Sequence, residues 1–166
     1  MTDHARLIRI LAITAIVLQS LVALIHFTVY LIPVPFLHLM YGSGKLLTHT
    51  EALQHPLLFV NPLLRLTVVF LFGYLLVQES KKPNAAAPGL LMIMILLSSV
   101  VLGLLSSGIS TLTNVILSRQ FGVEAMASFS VLNTFTGWTG LITAPVMPML
   151  AAAAGINYCR QRNSVS

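Results

Sequence analysis

Acidic side chains are scarce in this chain, which has four Asp and Glu residues among 166. They all lie outside or at the edges of the long apolar runs, at Asp3, Glu51, Glu79 and Glu124. This placement disfavours catalysis by a carboxylate pair and proton antiport through an intramembrane carboxylate. The sequence also lacks His-Glu-x-x-His, Gly-x-Ser-x-Gly and a phosphate-cradling loop. An enzyme is therefore the less favoured class, and only an intramembrane enzyme using His26 and Arg65 stays open.

Cysteine is limited to Cys159, and histidine within the apolar runs is limited to His26. A single cysteine excludes an intramolecular disulfide, a cysteine relay and a zinc site built from several thiolates. A haem in a membrane bundle is held by histidines from facing helices, so one histidine is too few. We therefore expect neither a cofactor nor a bound metal.

Charged residues of both signs make up 8% of the chain, and hydrophobic residues make up 57%. A soluble domain has roughly 25% charged residues. A soluble four-helix bundle would also show polar stripes at the helical period, yet Leu11–Ile25 is interrupted only by Thr14, Gln19 and Ser20. The composition therefore predicts an integral membrane protein.

Four long apolar runs are present, at Leu7–Ile32, Pro56–Val77, Pro88–Leu117 and Met126–Ala154. A bilayer core about 30 Å thick requires roughly 20 helical residues, and each run reaches that length. The first run is longer than the roughly 7–15-residue apolar region of a signal peptide, so we expect it to be retained. The prediction is an all-α, polytopic protein with four transmembrane helices in a single domain over residues 1–166.

The distribution of Lys and Arg predicts the orientation in the membrane. Six of these cations fall on the side of the two termini, at Arg6, Arg9, Lys81, Lys82, Arg160 and Arg162. The other side has Lys45 and Arg119, with Arg65 as a third if it snorkels outward. Because positive loops stay cytoplasmic, both termini are predicted to be cytoplasmic, in a bacterial inner membrane. No basic run is interleaved with aromatics, so nucleic acid is not an expected partner.

The connection from Pro33 to about His55 keeps many apolar residues, which predicts a segment lying in the membrane interface. This connection also has four ionisable residues, at His38, His49, Glu51 and His55. Their spacing matches no recognised metal-ligand pattern. We interpret them as interfacial residues, and metal binding or pH sensing stays open as an alternative.

The third and fourth runs are rich in small and hydroxylated residues. In the third run such residues recur every four positions, at Ser99, Gly103, Ser107 and Thr111, and the fourth run has Gly137 and Gly140. In lipid, small residues and interhelical hydrogen bonds bring helices together, so this pattern predicts a packing seam within one chain or between copies. The alternative is that the hydroxyls line a polar path. Pro145 and Pro148 are expected to interrupt the fourth helix.

Arg65 is the most unusual residue of the apolar runs, since charges are costly in a membrane. The second helix is predicted to begin near Pro56, to kink at Pro62 and to carry Arg65 several residues inside. Depth estimates place His26, Asn114 and Asn133 within roughly 5–11 Å of the same membrane boundary. If the four share a cavity, Arg65 recognises an anion, His26 titrates, and the two asparagines orient a ligand. The alternative is four separately satisfied residues.

Two hypotheses follow for the function. The first is a small transport component for a polar or anionic solute. The second is a non-catalytic accessory or assembly subunit whose partner is another copy or another membrane protein. A cavity containing Arg65 and His26 favours transport, whereas a small-residue stripe that faces outward favours the subunit.

Overall fold

A computed structural model of the chain describes residues 3–31, 55–81, 88–122 and 137–165. It contains four long helices, which we label α1 (Asp3–Leu31), α2 (Leu57–Glu79), α3 (Pro88–Phe121) and α4 (Val146–Val165). A further helical stretch at residues 137–143 precedes α4. Of the described residues 94% are helical and none is in a strand. The all-α prediction is confirmed.

Within the described ranges, four segments are long and apolar enough to cross a membrane, at Asp3–Thr28, Leu57–Glu79, Gly89–Phe121 and Gly137–Arg162. The shortest has 23 residues, which corresponds to about 35 Å of helix and exceeds the hydrocarbon thickness. Four helices with this length and composition indicate an integral membrane protein, as the sequence predicts. Which side of the membrane each end faces stays a prediction.

The helices extend beyond the predicted boundaries. The first begins at Asp3 and not Leu7, and the last continues from Ala154 to Val165. Polar residues can continue a helix outside the hydrocarbon, where a hydropathy boundary no longer marks its end. The predicted start of the fourth span at Met126 and the interfacial segment with His38, His49 and Glu51 lie outside the described residues.

Proline and glycine occur both inside the helices and at their ends. The predicted interruption of the fourth helix is found at Pro145, whereas Pro148 lies in the first turn of α4 and does not interrupt it. The second helix begins at Leu57 and includes Pro62 in its interior. Residues 144–145 form a turn between the two helical parts of the fourth span, because Pro145 has no N–H to continue the hydrogen-bond ladder. Gly122 follows α3 with a φ of 81°, and its N–H donates to the carbonyl of Ser118 at 3.1 Å. Glycine adopts this left-handed conformation without steric cost at a helix end.

The helices form an antiparallel bundle in which α1 packs against α2 and α4, and α3 packs against α4 and α2. The rings of Phe27 and Phe59 meet edge to face, with 5.7 Å between centroids. At the opposite end of the bundle, Arg9 contacts Ser80. We call this the basic end, because five cations lie on the helix ends or the turn there, at Arg6, Arg9, Lys81, Arg160 and Arg162.

The buried core lies between α1, α2 and α4, with the basic-end half of α3 closing it. Its members are Ile8, Ala12, Ala15, Val69, Phe72, Leu76, Leu91, Ile95, Val146, Leu150, Ala153 and Ala154. Small residues on α1 and α4 allow the close approach that stabilises helices in lipid. The third helix is the most peripheral, since 17% of its spanning window is buried, against 28% for each of the others.

Candidate functional site

A polar cluster joins α2 to α3 in the half of the bundle away from the basic end. Arg65 lies eight residues after Leu57, about 12 Å along α2. Its side chain is half-buried, and Nη2 donates to the hydroxyl oxygen of Ser106 on α3 at 3.1 Å. Arg65 is therefore turned towards α3, within a segment long enough to span the membrane.

Asn61 lies one helical turn before Arg65 and binds the same serine. Its Nδ2 donates to Ser106 Oγ at 2.8 Å and to the Ser106 carbonyl at 3.3 Å. Asn61 Oδ1 is buried and has no hydrogen-bond partner in the described structure. The cluster thus combines a cation with an unused buried acceptor, and both side chains depend on one serine hydroxyl.

His26 lies on α1, in the half of the bundle away from the basic end. Its Nδ1 donates to the carbonyl of Val22 at 2.8 Å, and the ring is half-buried. The neighbouring residue Phe27 meets Phe59 of α2, so this part of α1 lies beside the start of α2. That His26 and Arg65 share a site stays a prediction.

Of the two predicted asparagines, Asn114 is half-buried on α3, two turns beyond Ser106, and Asn133 lies outside the described residues. Asn61 and Ser106 form the described contacts of the cluster with Arg65, and sequence reasoning did not select them. A signal was present in both cases, because Asn61 and Arg65 are spaced i,i+4 and Ser106 belongs to a row of hydroxyls on the third run.

Ser106→Ala is expected to lower the free energy of unfolding by about 1–2 kcal/mol, because it removes the acceptor that Asn61 and Arg65 share. The measurement is the midpoint of SDS-induced unfolding in mixed micelles. Ser110→Ala is the matched control, since Ser110 is exposed on the same helix. Equal midpoints for the two variants would show that the cluster contributes nothing to the fold.

A second polar cluster ties α1, α2 and α4 together at the basic end. Arg9 Nε donates to Ser80 Oγ at 2.9 Å, and that hydroxyl donates to the carbonyl of Val77 at 2.7 Å. Asn157 is 1% exposed and its Nδ2 donates to Glu79 Oε2 at 3.0 Å. These contacts join side chains of three helices, so we assign the cluster to helix association.

The predicted seam residues of α3 face outward. Ser99, Gly103, Ser107 and Thr111 are all exposed, and we call them the small face. A Cβ atom added at Gly103, Gly137 or Gly140 would meet no atom within 4 Å. The described part of the fourth span therefore does not cover the small face within one chain. A seam with another chain stays a prediction.

The hydroxyl groups on the small face differ in the hydrogen bonds that they make. Thr111 Oγ1 donates to the carbonyl of Ser107 on its own helix at 3.0 Å. The hydroxyls of Ser99 and Ser107 have no hydrogen-bond partner among the described residues. These two serines therefore present unused donors on an exposed surface at membrane depth.

Comparisons with known proteins give no relative: no family model, no curated protein and no solved structure matches the chain.

Proposed function

We propose that this chain is a non-catalytic subunit of a membrane assembly, in which the small face packs against a transmembrane helix of another chain. The observation that carries the proposal is the exposure of Ser99, Gly103 and Ser107 on the least buried helix. Lipid tails provide no hydrophobic force between helices, so association depends on close backbone approach and interhelical hydrogen bonds. The small face offers both.

Two other lipid-facing hydroxyls, on α1 and α2, are satisfied within their own helices. Thr28 donates to the carbonyl of Leu24 and Thr67 to that of Leu63, each at 2.9 Å within its own helix. Ser99 and Ser107 lack such bonds, and a polar group that faces hydrocarbon without a partner is costly. A neighbouring helix with carbonyls or hydroxyls at this depth would remove that cost, which supports the assignment of the small face to a protein contact.

Gly103→Ile tests the proposal in the native membrane. The wild-type chain, extracted in mild detergent, should migrate as part of a larger assembly on a native gel. Gly103→Ile should release it as a monomer with an unchanged unfolding midpoint, because the glycine has open space around it. Val101→Ile is the control, since Val101 is 50% exposed on the opposite side of α3. A monomeric wild type, or an assembly that Gly103→Ile leaves intact, would contradict the proposal.

Solute transport is the second candidate function, and the half-buried cation of Arg65 within a segment long enough to span the membrane favours it. A chain of this kind would carry a polar or anionic solute, with the guanidinium as the recognising charge. Ser107→Leu separates the two candidates: it should block flux in reconstituted vesicles if the face lines a path, and dissociate the assembly if the face binds a partner. For both candidate functions the proposed location is a bacterial cytoplasmic membrane, because the cations of the basic end match the excess of Lys and Arg on the cytoplasmic side.

A further inference from the structure

We infer that the basic end binds the phosphate group of an anionic phospholipid, and that Arg160 on α4 makes the contact. The inference does not depend on the proposed assembly, because it concerns the end of α1, α2 and α4 and not the small face of α3. It rests on an excess of positive charge, on the depth of this end in the membrane and on a partly buried guanidinium.

The basic end has more cations than its own carboxylates can balance. Lys82 adds a sixth cation to the five described there, and the sequence supplies two carboxylate side chains to this end, Asp3 and Glu79. The residues of this end outside the described ranges, 1–2, 82–87 and 166, include no Asp or Glu. Glu51 and Glu124 belong to the connections at the opposite end, which follow α1 and α3. Six cations against two carboxylates thus leave an excess of four positive charges.

Two tyrosines indicate that the basic end lies at the level of the lipid headgroups. Tyr74 on α2 and Tyr158 on α4 are 50% and 39% exposed. The hydroxyl of Tyr74 accepts a hydrogen bond from Gln78 Nε2, one turn closer to the basic end, at 3.0 Å. Tyrosine is enriched where the hydrocarbon meets the headgroups. Arg160 is two residues after Tyr158, about 3 Å along α4, so its guanidinium is within reach of the phosphate layer.

Arg160 differs in burial from Arg162 on the same helix. Ala153, two turns before Arg160, is 0% exposed and Asn157, one turn before it, is 1% exposed, so Arg160 lies on the side of α4 that faces the bundle. The Arg160 side chain is half-buried, and its Nη2 is shielded from solvent without a hydrogen-bond partner in the part of the chain that the structure describes. Arg162 is exposed. Arg160 is therefore a partly desolvated cation, and an anion at its accessible edge offsets that cost.

Arg9 brings a second guanidinium to the same level. Its Nε donates to Ser80 Oγ at 2.9 Å, and the preceding residue, Glu79, accepts from Asn157 of α4 at 3.0 Å. Because Asn157 is one turn before Arg160, Arg9 and Arg160 lie within about one helical turn of each other along the bundle axis. Ser80 holds Arg9 in place, so we assign Arg9 to the attraction of the anion and Arg160 to its contact.

A phosphate group fits this arrangement. Guanidinium and phosphate form two parallel N–H···O bonds, and phospholipid phosphates lie in the headgroup layer that the tyrosines indicate. Headgroups with a net negative charge are preferred over choline headgroups, because the surrounding cations repel a quaternary ammonium. Clusters of Lys and Arg beside a membrane span attract anionic lipids in this way. Free phosphate offers the same oxygens and is the alternative source that the test distinguishes.

The test is the affinity of the protein, purified in a neutral detergent, for short-chain phosphatidylglycerol measured by calorimetry. Arg160→Gln should weaken binding about tenfold, the loss expected for one hydrogen-bonded charge. Arg162→Gln is the matched control, because it removes the same charge two residues away, on a different face of α4. It should stay close to the wild type at about 0.15 M salt, where exposed charges more than about 8 Å apart are largely screened. Arg160→Lys should bind with intermediate affinity, since it keeps the charge and loses the two-point contact.

Four other results would contradict the inference. Equal losses in the two glutamine variants would show a diffuse attraction to the whole basic end. Equal wild-type affinities for phosphatidylglycerol and short-chain phosphatidylcholine would exclude selection of an anionic headgroup. Displacement of phosphatidylglycerol by an equal concentration of inorganic phosphate would assign the site to free phosphate and exclude the lipid. If Arg160→Gln does not fold, the comparison is made between Arg160→Lys and Arg162→Lys, and equal affinities of these two variants would overturn the site.

Discussion

Gly73→Ile is expected to lower the free energy of unfolding by about 3 kcal/mol, because α1 and α2 meet too closely here for a larger side chain. A Cβ atom at Gly73 would lie 2.7 Å from both Cδ1 and Cγ1 of Ile16, and 3.5 Å from the carbonyl oxygen of Ala12. The first contact requires Ile16 to move, and the added branches of isoleucine require the two backbones to separate. The midpoint of SDS-induced unfolding in mixed micelles measures the effect.

Two further variants establish the cause of this loss. Gly103→Ile adds the same atoms on α3 where no neighbour lies within 4 Å, so the unfolding midpoint of the monomer should not change. In a Gly73→Ala background, Ile16→Ala should recover part of the loss, because it removes the two atoms that clash. Additive effects of these two substitutions would contradict a direct contact, since contacting residues show a coupling energy.

Asn157→Asp is expected to cost roughly 3 kcal/mol at neutral pH, the scale of leaving a buried charge uncompensated. The substitution preserves the shape of the side chain and replaces a donor at 3.0 Å from Glu79 Oε2 with a second carboxylate oxygen. Because Asn157 is 1% exposed, water cannot screen the resulting repulsion. The unfolding midpoint again provides the measurement.

The reversed pair is the control for this prediction. In Asn157→Asp combined with Glu79→Gln, the amide lies on α2 and the carboxylate on α4, so the hydrogen bond can form with its direction exchanged. This double variant should be more stable than Asn157→Asp alone. If Asn157→Asp is as stable as the wild type, the contact between α2 and α4 does not contribute to the association of the helices.

The sequence predicts four membrane-spanning helices because the bilayer thickness fixes the length that an apolar run must have. The positions where the helices end could not be predicted. Asn157 lies beyond Ala154, where the predicted span ends, and the helix continues past it to Val165. Hydropathy does not detect a helix that continues into polar sequence, so the basic-end cluster was missed.

The sequence predicts the membrane depth of the candidate site residues, but not how each helix is rotated about its axis. Arg65 and His26 were selected as costly residues at a similar level, and the contact of Phe27 with Phe59 places the part of α1 next to His26 beside the start of α2. Depth alone could not show that Asn61, and not Asn114, shares the serine with Arg65. Helix rotation depends on close contacts such as Gly73 with Ile16, and a nearly uniform apolar sequence does not specify them. The outward direction of the small face was unpredictable for the same reason.

The length of α3 makes this helix sensitive to the thickness of its membrane. Its 34 residues extend about 51 Å, well beyond a 30 Å hydrocarbon layer. Since Asn61 and Arg65 both contact Ser106, the start of α2 lies near the level of residue 112, and α3 continues roughly 14 Å further to Phe121. A thicker bilayer submerges this overhang together with Arg119, whereas a thinner one leaves it in the headgroup layer. The helix with the small face therefore has a preferred bilayer thickness that α2 does not share.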